Sequence, residues 1–260
     1  MVSALELSLY QKKRKEAQAF DLLDDFKNKV SIHYSLQSSQ QKKLCIAIKF
    51  SQMDGVIDTK RHMTKRTASS ICINDICDII DEKINAYKYG CSIIDWIRID
   101  DLPNNPLDIE TVRTVPANTL DGTFFEVKEN DILVARLGPT ILNQKIVMIR
   151  EIKRTTLASS EFLVLRCKNG YNPEAVMAIL KTGYYRNLMY ANARGSTPSR
   201  YRLSREDALA LPFPDIRAYQ NELAKESFSI RNEVISLRNA AIRGWETAKE
   251  RFEKELLREK

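Results

Sequence analysis

Glycine is scarce, with eight residues in 260. No glycine-rich loop follows a strand in a way that would cradle a phosphate, and no Walker-type loop exists, which argues against a nucleotide-binding fold. Only two histidines are present, His33 and His62, too few for a zinc site of about four converging ligands. The five cysteines, Cys45, Cys72, Cys77, Cys91 and Cys167, are odd in number, and none has C-x-x-C spacing. They read as buried thiols in a reducing compartment and not as a disulfide framework. No apolar run approaches the roughly 18 residues of a membrane span. The start, Met1-Val-Ser-Ala-Leu-Glu-Leu-Ser, lacks the basic and apolar regions of a secretory signal. The expectation is a cytoplasmic protein without a membrane segment.

Hydrophobic residues make up 43% of the chain, enough for a sizeable core, and the formal net charge is +7. That excess favours a polyanionic partner, weakly. Near the N-terminus, Ala19, Leu23, Phe26 and Val30 recur at steps of four, three and four, placing them on one helical face. The run Lys12-Lys13-Arg14-Lys15 before them reads as a solvated face, with phosphate contact as the alternative. Residues 38–41 suggest a loop, 44–50 a strand, and Asp54-Gly55 a turn.

The middle of the chain carries short β-rich runs: Trp96-Ile-Arg-Ile99, Ile132-Leu-Val-Ala135, Lys145-Ile-Val-Met-Ile149 and Phe162-Leu-Val-Leu165. A helix is predicted after Asn172, with Pro173 at its first position and Val176, Ile179, Leu180 and Leu188 on its apolar face. Ser204-Arg-Glu-Asp207 resembles a capping box, and Leu211-Pro-Phe-Pro214 forbids further helix. Beyond Ile216 there is no proline. From Ile230 the apolar steps are four, three, four, four, three, four, four, through Val234, Leu237, Ala241, Trp245, Ala248, Phe252 and Leu256. This predicts a helix of roughly forty residues, about 60 Å long. A stripe of that length needs a partner helix, from this chain or another. The fold class is α+β: a mixed α/β domain followed by a long C-terminal helix.

Catalytic patterns are sparse. The Asn- or Asp-Pro-Pro-aromatic loop of amino-methylating DNA enzymes is missing. Glu126-Val-Lys128 has the spacing of metal-dependent nucleases, with Asp121 upstream. The same three residues also fit a surface strand end beside an ordinary Asp121-Gly122 turn. The segment from Ala193 to Leu203 is richer, setting Arg194, Arg200 and Arg202 among Ser196, Thr197, Ser199 and Tyr201. Arginine forks and short hydroxyls suit phosphate and base-edge contacts. A solvated basic loop is the plainer alternative.

Six motifs occur in order: Asp131-Ile-Leu-Val-Ala-Arg-Leu-Gly-Pro139, Ser160-Glu-Phe-Leu-Val-Leu-Arg166, Tyr171-Asn-Pro-Glu174, Arg194-Gly-Ser-Thr197, Leu211-Pro-Phe-Pro214, and a long helix containing Gln220. This series resembles the specificity subunit of type I restriction–modification systems, in its half-size form with one target-recognition domain. The resemblance covers roughly residues 70–260. It implies three regions: an N-terminal helical segment over 1–65, a DNA-binding target-recognition domain over 66–215, and a dimerisation and docking helix over 216–260 that pairs as a coiled coil. The first region has no counterpart in the family pattern.

The resemblance further implies a non-catalytic subunit that reads a bipartite site on double-stranded DNA. It would present that site to an adenine methyltransferase and, where the system carries one, to a restriction subunit. S-adenosylmethionine is then expected on the methyltransferase, with no cofactor or metal on this chain. Expected DNA contacts are Arg136, Asn143 and Lys145 in the loop after the Asp131 strand, and Arg194, Ser196, Thr197, Ser199, Arg200, Tyr201 and Arg202 in the second loop. Tyr185 and Arg186 are lesser candidates. Leu223, Ile230, Val234, Leu237, Ala241, Trp245, Phe252 and Leu256 are expected at a partner-helix interface, which would make a homodimer. Three other classes stay open: a recognition module of another defence nuclease complex, a metal-dependent nuclease using Asp121, Glu126 and Lys128, and a structural coiled-coil adaptor.

Overall fold

A computed structural model describes residues 2–34 and 71–258. The loop, strand and turn expected over 38–55 lie outside the described residues, as do Cys45 and His62. The chain divides into two compact units, Met1–Lys29 with Lys225–Lys260, and Val30–Ala224.

The first unit pairs most of helix α1 (Val2–His33) with most of a C-terminal helix (Gln220–Arg258) of 39 residues. The stripe expected on α1 is buried at Ala19, Leu23 and Phe26, and that of the long helix is fully buried at Val234 and Ala241. Around these, Ile230, Leu237, Trp245 and Phe252 are half-buried, whereas Leu256 is exposed. The Lys12 ammonium lies over the Trp245 ring at 5.8 Å, and the Arg238 guanidinium over Phe20 at 5.4 Å. Such cation–π contacts let long basic side chains cover apolar surface while their charge stays wet. The long helix therefore has a partner within the chain. Lys13, Arg14 and Lys15 stay exposed, a solvated face.

The second unit begins its described β structure with β1 (Ile71–Cys72), α2 (Ile73–Ile76), β2 (Cys77–Ile80), β3 (Lys83–Asn85), β4 (Ile93–Ile97), β5 (Arg113–Pro116) and β6 (Thr123–Glu126). It continues through β7 (Ile132–Ala135), α3 (Gly138–Leu142), β8 (Ile146–Met148), β9 (Thr156–Ser159) and β10 (Phe162–Cys167). Then follow α4 (Pro173–Leu180), α5 (Gly183–Asn192), α6 (Arg205–Leu209), β11 (Pro212–Phe213) and the first turn of the long helix, α7.

One sheet has four antiparallel strands in the order β2-β10-β7-β8, and another five in the order β3-β6-β9-β4-β5. β4 and β9 run parallel; β1 pairs with β11. Strand alternation sorts the side chains. Phe125, Ala158 and Ile97 of the larger sheet pack with Leu133, Ala135, Val147 and Phe162 of the smaller one. Their neighbours Phe124, Leu157 and Ile94 turn to the opposite face and pack with Ile84, Ala117 and Leu120.

Two expectations shift. The strand at Trp96 starts at Ile93 and ends at Ile97, because the Ile99 carbonyl accepts from the Leu102 amide in a turn. The single helix expected after Asn172 is two helices: α4 ends at Leu180, and Thr182 caps α5, its hydroxyl accepting from the Tyr185 amide. Tyr185 is then fully buried, its hydroxyl donating to the Pro212 carbonyl at 2.6 Å. Its place in the core removes it from the DNA-contact candidates.

Candidate nucleic-acid interface

The two loops expected to bind DNA meet in space. Arg202 lies in the middle of a small antiparallel ladder, bridged to Arg194 on one side and to Leu137 on the other. Arg194 and Arg202 exchange both backbone hydrogen bonds, at 3.0 and 2.8 Å. The Gly138 amide donates to the Tyr201 carbonyl at 2.7 Å, and the Leu203 amide to the Arg136 carbonyl at 2.9 Å. Segments about sixty residues apart in sequence are thereby stitched together through main chain alone.

Two glycines permit the approach. A Cβ on Gly138 would stand 2.8 Å from the Pro198 carbonyl oxygen and 3.1 Å from the Tyr201 Cβ. A Cβ on Gly195 would stand 2.5 Å from the Arg200 carbonyl oxygen. Within the loop, Pro198–Arg200 forms one 3-10 turn. The Thr197 and Ser199 hydroxyls sit 3.2 Å apart, and the Tyr190 and Tyr201 rings pack at 5.9 Å.

The outcome is an exposed tip. Arg194, Ser196, Thr197, Ser199, Arg200 and Arg202 are all exposed; Tyr201 is half-buried as its footing. The arginines differ in restraint. Arg202 donates to Glu161 at 2.7 Å, and Arg194 to Asp207 at 3.2 Å. Arg205, at the start of α6, pairs with Asp81. Arg200 has no ion pair among the described residues. Arg136 is half-buried below the tip, its Nε without a hydrogen-bond partner among the described residues. Glu206 on α6 is held below the usual carboxylate range, first by its own backbone amide, then by the Ser204 hydroxyl, with Arg205 and Arg136 adding to the effect. The expected capping arrangement is present: Ser204 Oγ accepts from the Asp207 amide at 3.0 Å.

The remaining candidates separate from this tip. Asn143 is exposed at the far end of α3, about 7 Å along the helix from Gly138. Arg186 is half-buried on α5. Lys145 turns inward, its ammonium donating to the Ile99 carbonyl at 3.0 Å in a part-buried setting. That bond directs the Lys145 ammonium toward Ile99. Glu161 and Asp207, which orient Arg202 and Arg194, are not among the expected site residues. Glu161 lies 41 residues from its arginine, so no local spacing signals it, whereas Asp207 already stands out as a capping residue.

Asp121 and Glu126 are engaged otherwise. Tyr87 donates to Asp121 at 2.7 Å, and Lys88 stands 4.0 Å from Glu126. Among the described residues no three His, Cys, Asp or Glu side chains converge to hold a metal, and no helix is long and apolar enough to cross a membrane.

The mixed α/β fold with a long C-terminal helix is that of type I restriction–modification specificity subunits. One neighbour is a chain of a type I restriction–modification system solved for its complex assembly and conformational transition. It is 17% identical, with a TM-score of 0.55, covering 68% of this chain and 46% of that one. Another is the HsdS subunit from Thermoanaerobacter tengcongensis, 14% identical, with a TM-score of 0.51, covering 72% of this chain and 46% of the other. The chain thus matches a little under half the length of these neighbours. No protein-family model matches the sequence, and no curated protein matches it.

Proposed function

We propose that this chain is a non-catalytic, sequence-specific DNA recognition subunit of a restriction–modification system. The observation that carries the reading is the tip itself: two distant loops locked by backbone hydrogen bonds into one exposed, arginine-rich projection on a specificity-subunit fold. Arginine forks and flanking hydroxyls reach phosphates and base edges, and arginine against guanine gives about 1–3 kcal/mol of discrimination per bidentate pair. A rigid base beneath them lowers the ordering cost of binding.

In this proposal a partner adenine methyltransferase supplies S-adenosylmethionine and the pocket for the flipped base. A restriction subunit joins where the system has one. Two copies of the chain pair through the helical unit, where Leu7, Tyr10, Phe20, Ile242 and Leu257 are exposed. A two-fold assembly reads a two-fold, split site.

Methyl transfer to DNA separates this from the other classes. The methyltransferase is assayed alone, with the chain, and with a chain carrying Arg200→Ala and Ser199→Ala. The proposal expects transfer only when the chain is present, and less of it with the altered chain than with the unaltered one. Equal transfer without the chain contradicts it, as does cleavage of DNA by the chain and magnesium alone.

A further inference from the structure

Cys77 and Cys167 face each other across the first rungs of the β2–β10 ladder, with their Sγ atoms 3.5 Å apart. The neighbouring opposed pair, Ile76 and Lys168, is joined by a backbone hydrogen bond from the Lys168 amide at 2.8 Å. Antiparallel pairs alternate, so Cys77 and Cys167 occupy a non-hydrogen-bonded position. There Cα atoms are about 4.5 Å apart and side chains come closest. A disulfide accepts Cα separations of about 4.4–6.8 Å and needs an S–S distance of about 2.05 Å. Closing the remaining gap of about 1.5 Å is within the reach of side-chain rotation, with no shift of register.

We propose that Cys77 and Cys167 form an oxidant-responsive cross-strand disulfide that staples the four-stranded sheet. The two thiols have unequal roles. Cys77 is buried and Cys167 half-exposed, so a peroxide reaches Cys167 first. The Cys167 sulfur displaces water from hydrogen peroxide and becomes a sulfenic acid. The Cys77 sulfur then attacks that sulfur, the S–O bond breaks, the thiol proton leaves with the oxygen, and a second water departs. Two thiols and one peroxide give one disulfide and two waters. The Cys167 sulfur and burial push the Cys77 thiol well up, which slows its own reaction with peroxide and leaves Cys167 as the first to be oxidised. The other described thiols are placed elsewhere: Cys72 donates to Asp75, and Cys91 accepts from Asn118.

The staple closes a loop of about ninety residues, where the loss of unfolded-chain entropy is large. It sits at the far end of β10 from Glu161, the residue holding Arg202. Six residue steps at about 3.4 Å place the two about 20 Å apart. Oxidation should therefore stiffen the sheet without touching the tip.

The test treats the full chain with hydrogen peroxide, then maps non-reduced peptides by mass spectrometry and records the melting temperature. The expected results are a Cys77–Cys167 linked peptide, a Tm raised by about 5–10 °C and reversed by dithiothreitol, and unchanged DNA affinity. Cys167→Ser, at the half-exposed position, should fold as before and show neither link nor rise; Cys77→Ala should leave Cys167 trapped as a dimedone-reactive sulfenic acid. Oxidised protein with no such peptide, or a Tm rise that persists in Cys167→Ser, overturns the proposal.

Discussion

The Gly138 amide reaches the Tyr201 carbonyl at 2.7 Å while its Cα faces the Pro198 carbonyl oxygen, leaving no room for a methyl group. Replacing Gly138 with alanine would drive a Cβ to 2.8 Å from backbone oxygen, and neither side can yield by rotating a side chain. Overpacking of this kind costs about 1–3 kcal/mol. Gly138→Ala should therefore lower the unfolding free energy measured in urea by that amount and weaken DNA binding more than any single exposed hydroxyl variant. An alanine variant with full stability and affinity would show that the two loops need no close approach.

Arg200 and Arg202 should respond differently to truncation. Arg200 stands without an ion pair among the described residues, and Arg202 is braced by Glu161 at 2.7 Å. An unbraced arginine suits a phosphate. Arg200→Ala should lower the slope of log K against log salt by about one and weaken binding to all sequences alike. A braced arginine has the fixed orientation that base readout needs. Arg202→Ala should relax preference at one base position by about 1–3 kcal/mol, and Glu161→Gln should reproduce part of that effect. Anisotropy titrations at several salt concentrations, on the preferred duplex and on single-base variants, distinguish the two. Identical salt slopes and identical base preferences in both alanine variants would contradict the division of roles.

Much of this arrangement is readable from residue order. The run from Ile132 to Ala135 is a strand as written, and the steps from Ile230 to Leu256 mark a helix that runs Gln220–Arg258. The motif residues Asn172 and Gln220 turn out to be partners: Gln220 Oε1 accepts from the Asn172 amide, and its Nε2 donates to the Gly170 carbonyl, both at 2.8 Å. That pairing spans 48 residues and carries no local signature. Lys145 is similar, since the carbonyl that takes its ammonium is 46 residues earlier. Tyr185 is readable in principle. Thr182-Gly183 marks a helix start, and counting from it puts Tyr185, Leu188 and Asn192 on one inward face.

The buried carboxylate of Asp131 accepts both arms of the Arg166 guanidinium, at 2.8 and 2.7 Å, and the Lys128 amide at 2.8 Å. Asp131 is wholly inaccessible to solvent. Arg166→Ala strands that charge, and breaking such a pair costs about 3–5 kcal/mol. Arg166→Lys keeps the charge but not the fork, so an intermediate effect is expected. Urea unfolding of the three proteins checks the ranking; an alanine variant as stable as the parent would refute the claim that this pair is needed to bury Asp131.

Acid sensitivity should trace partly to Asp215. Its carboxyl is held at about 2, below the ordinary 3.8, by the side chain and then the backbone amide of Arg217. A depressed folded value means the stabilisation is present above the unfolded value and disappears as pH falls through the folded one. The window therefore lies between the ordinary 3.8 and about 2, and the effect is modest because both groups are largely solvated. Tm should fall less steeply across that window in Arg217→Ala than in the parent, the two curves converging at its acid end. Parallel curves would remove this pair from the acid response.

Selection from a random duplex library tests the central claim most directly. The purified chain is used together with the proposed partner methyltransferase, near physiological salt, so that non-specific phosphate binding does not mask base readout. The predicted result is an enriched split motif, palindromic if two copies act together, that disappears when Arg200 and Arg202 are both replaced by alanine. A library that shows no enriched motif while the methyltransferase is present and active would contradict the recognition role.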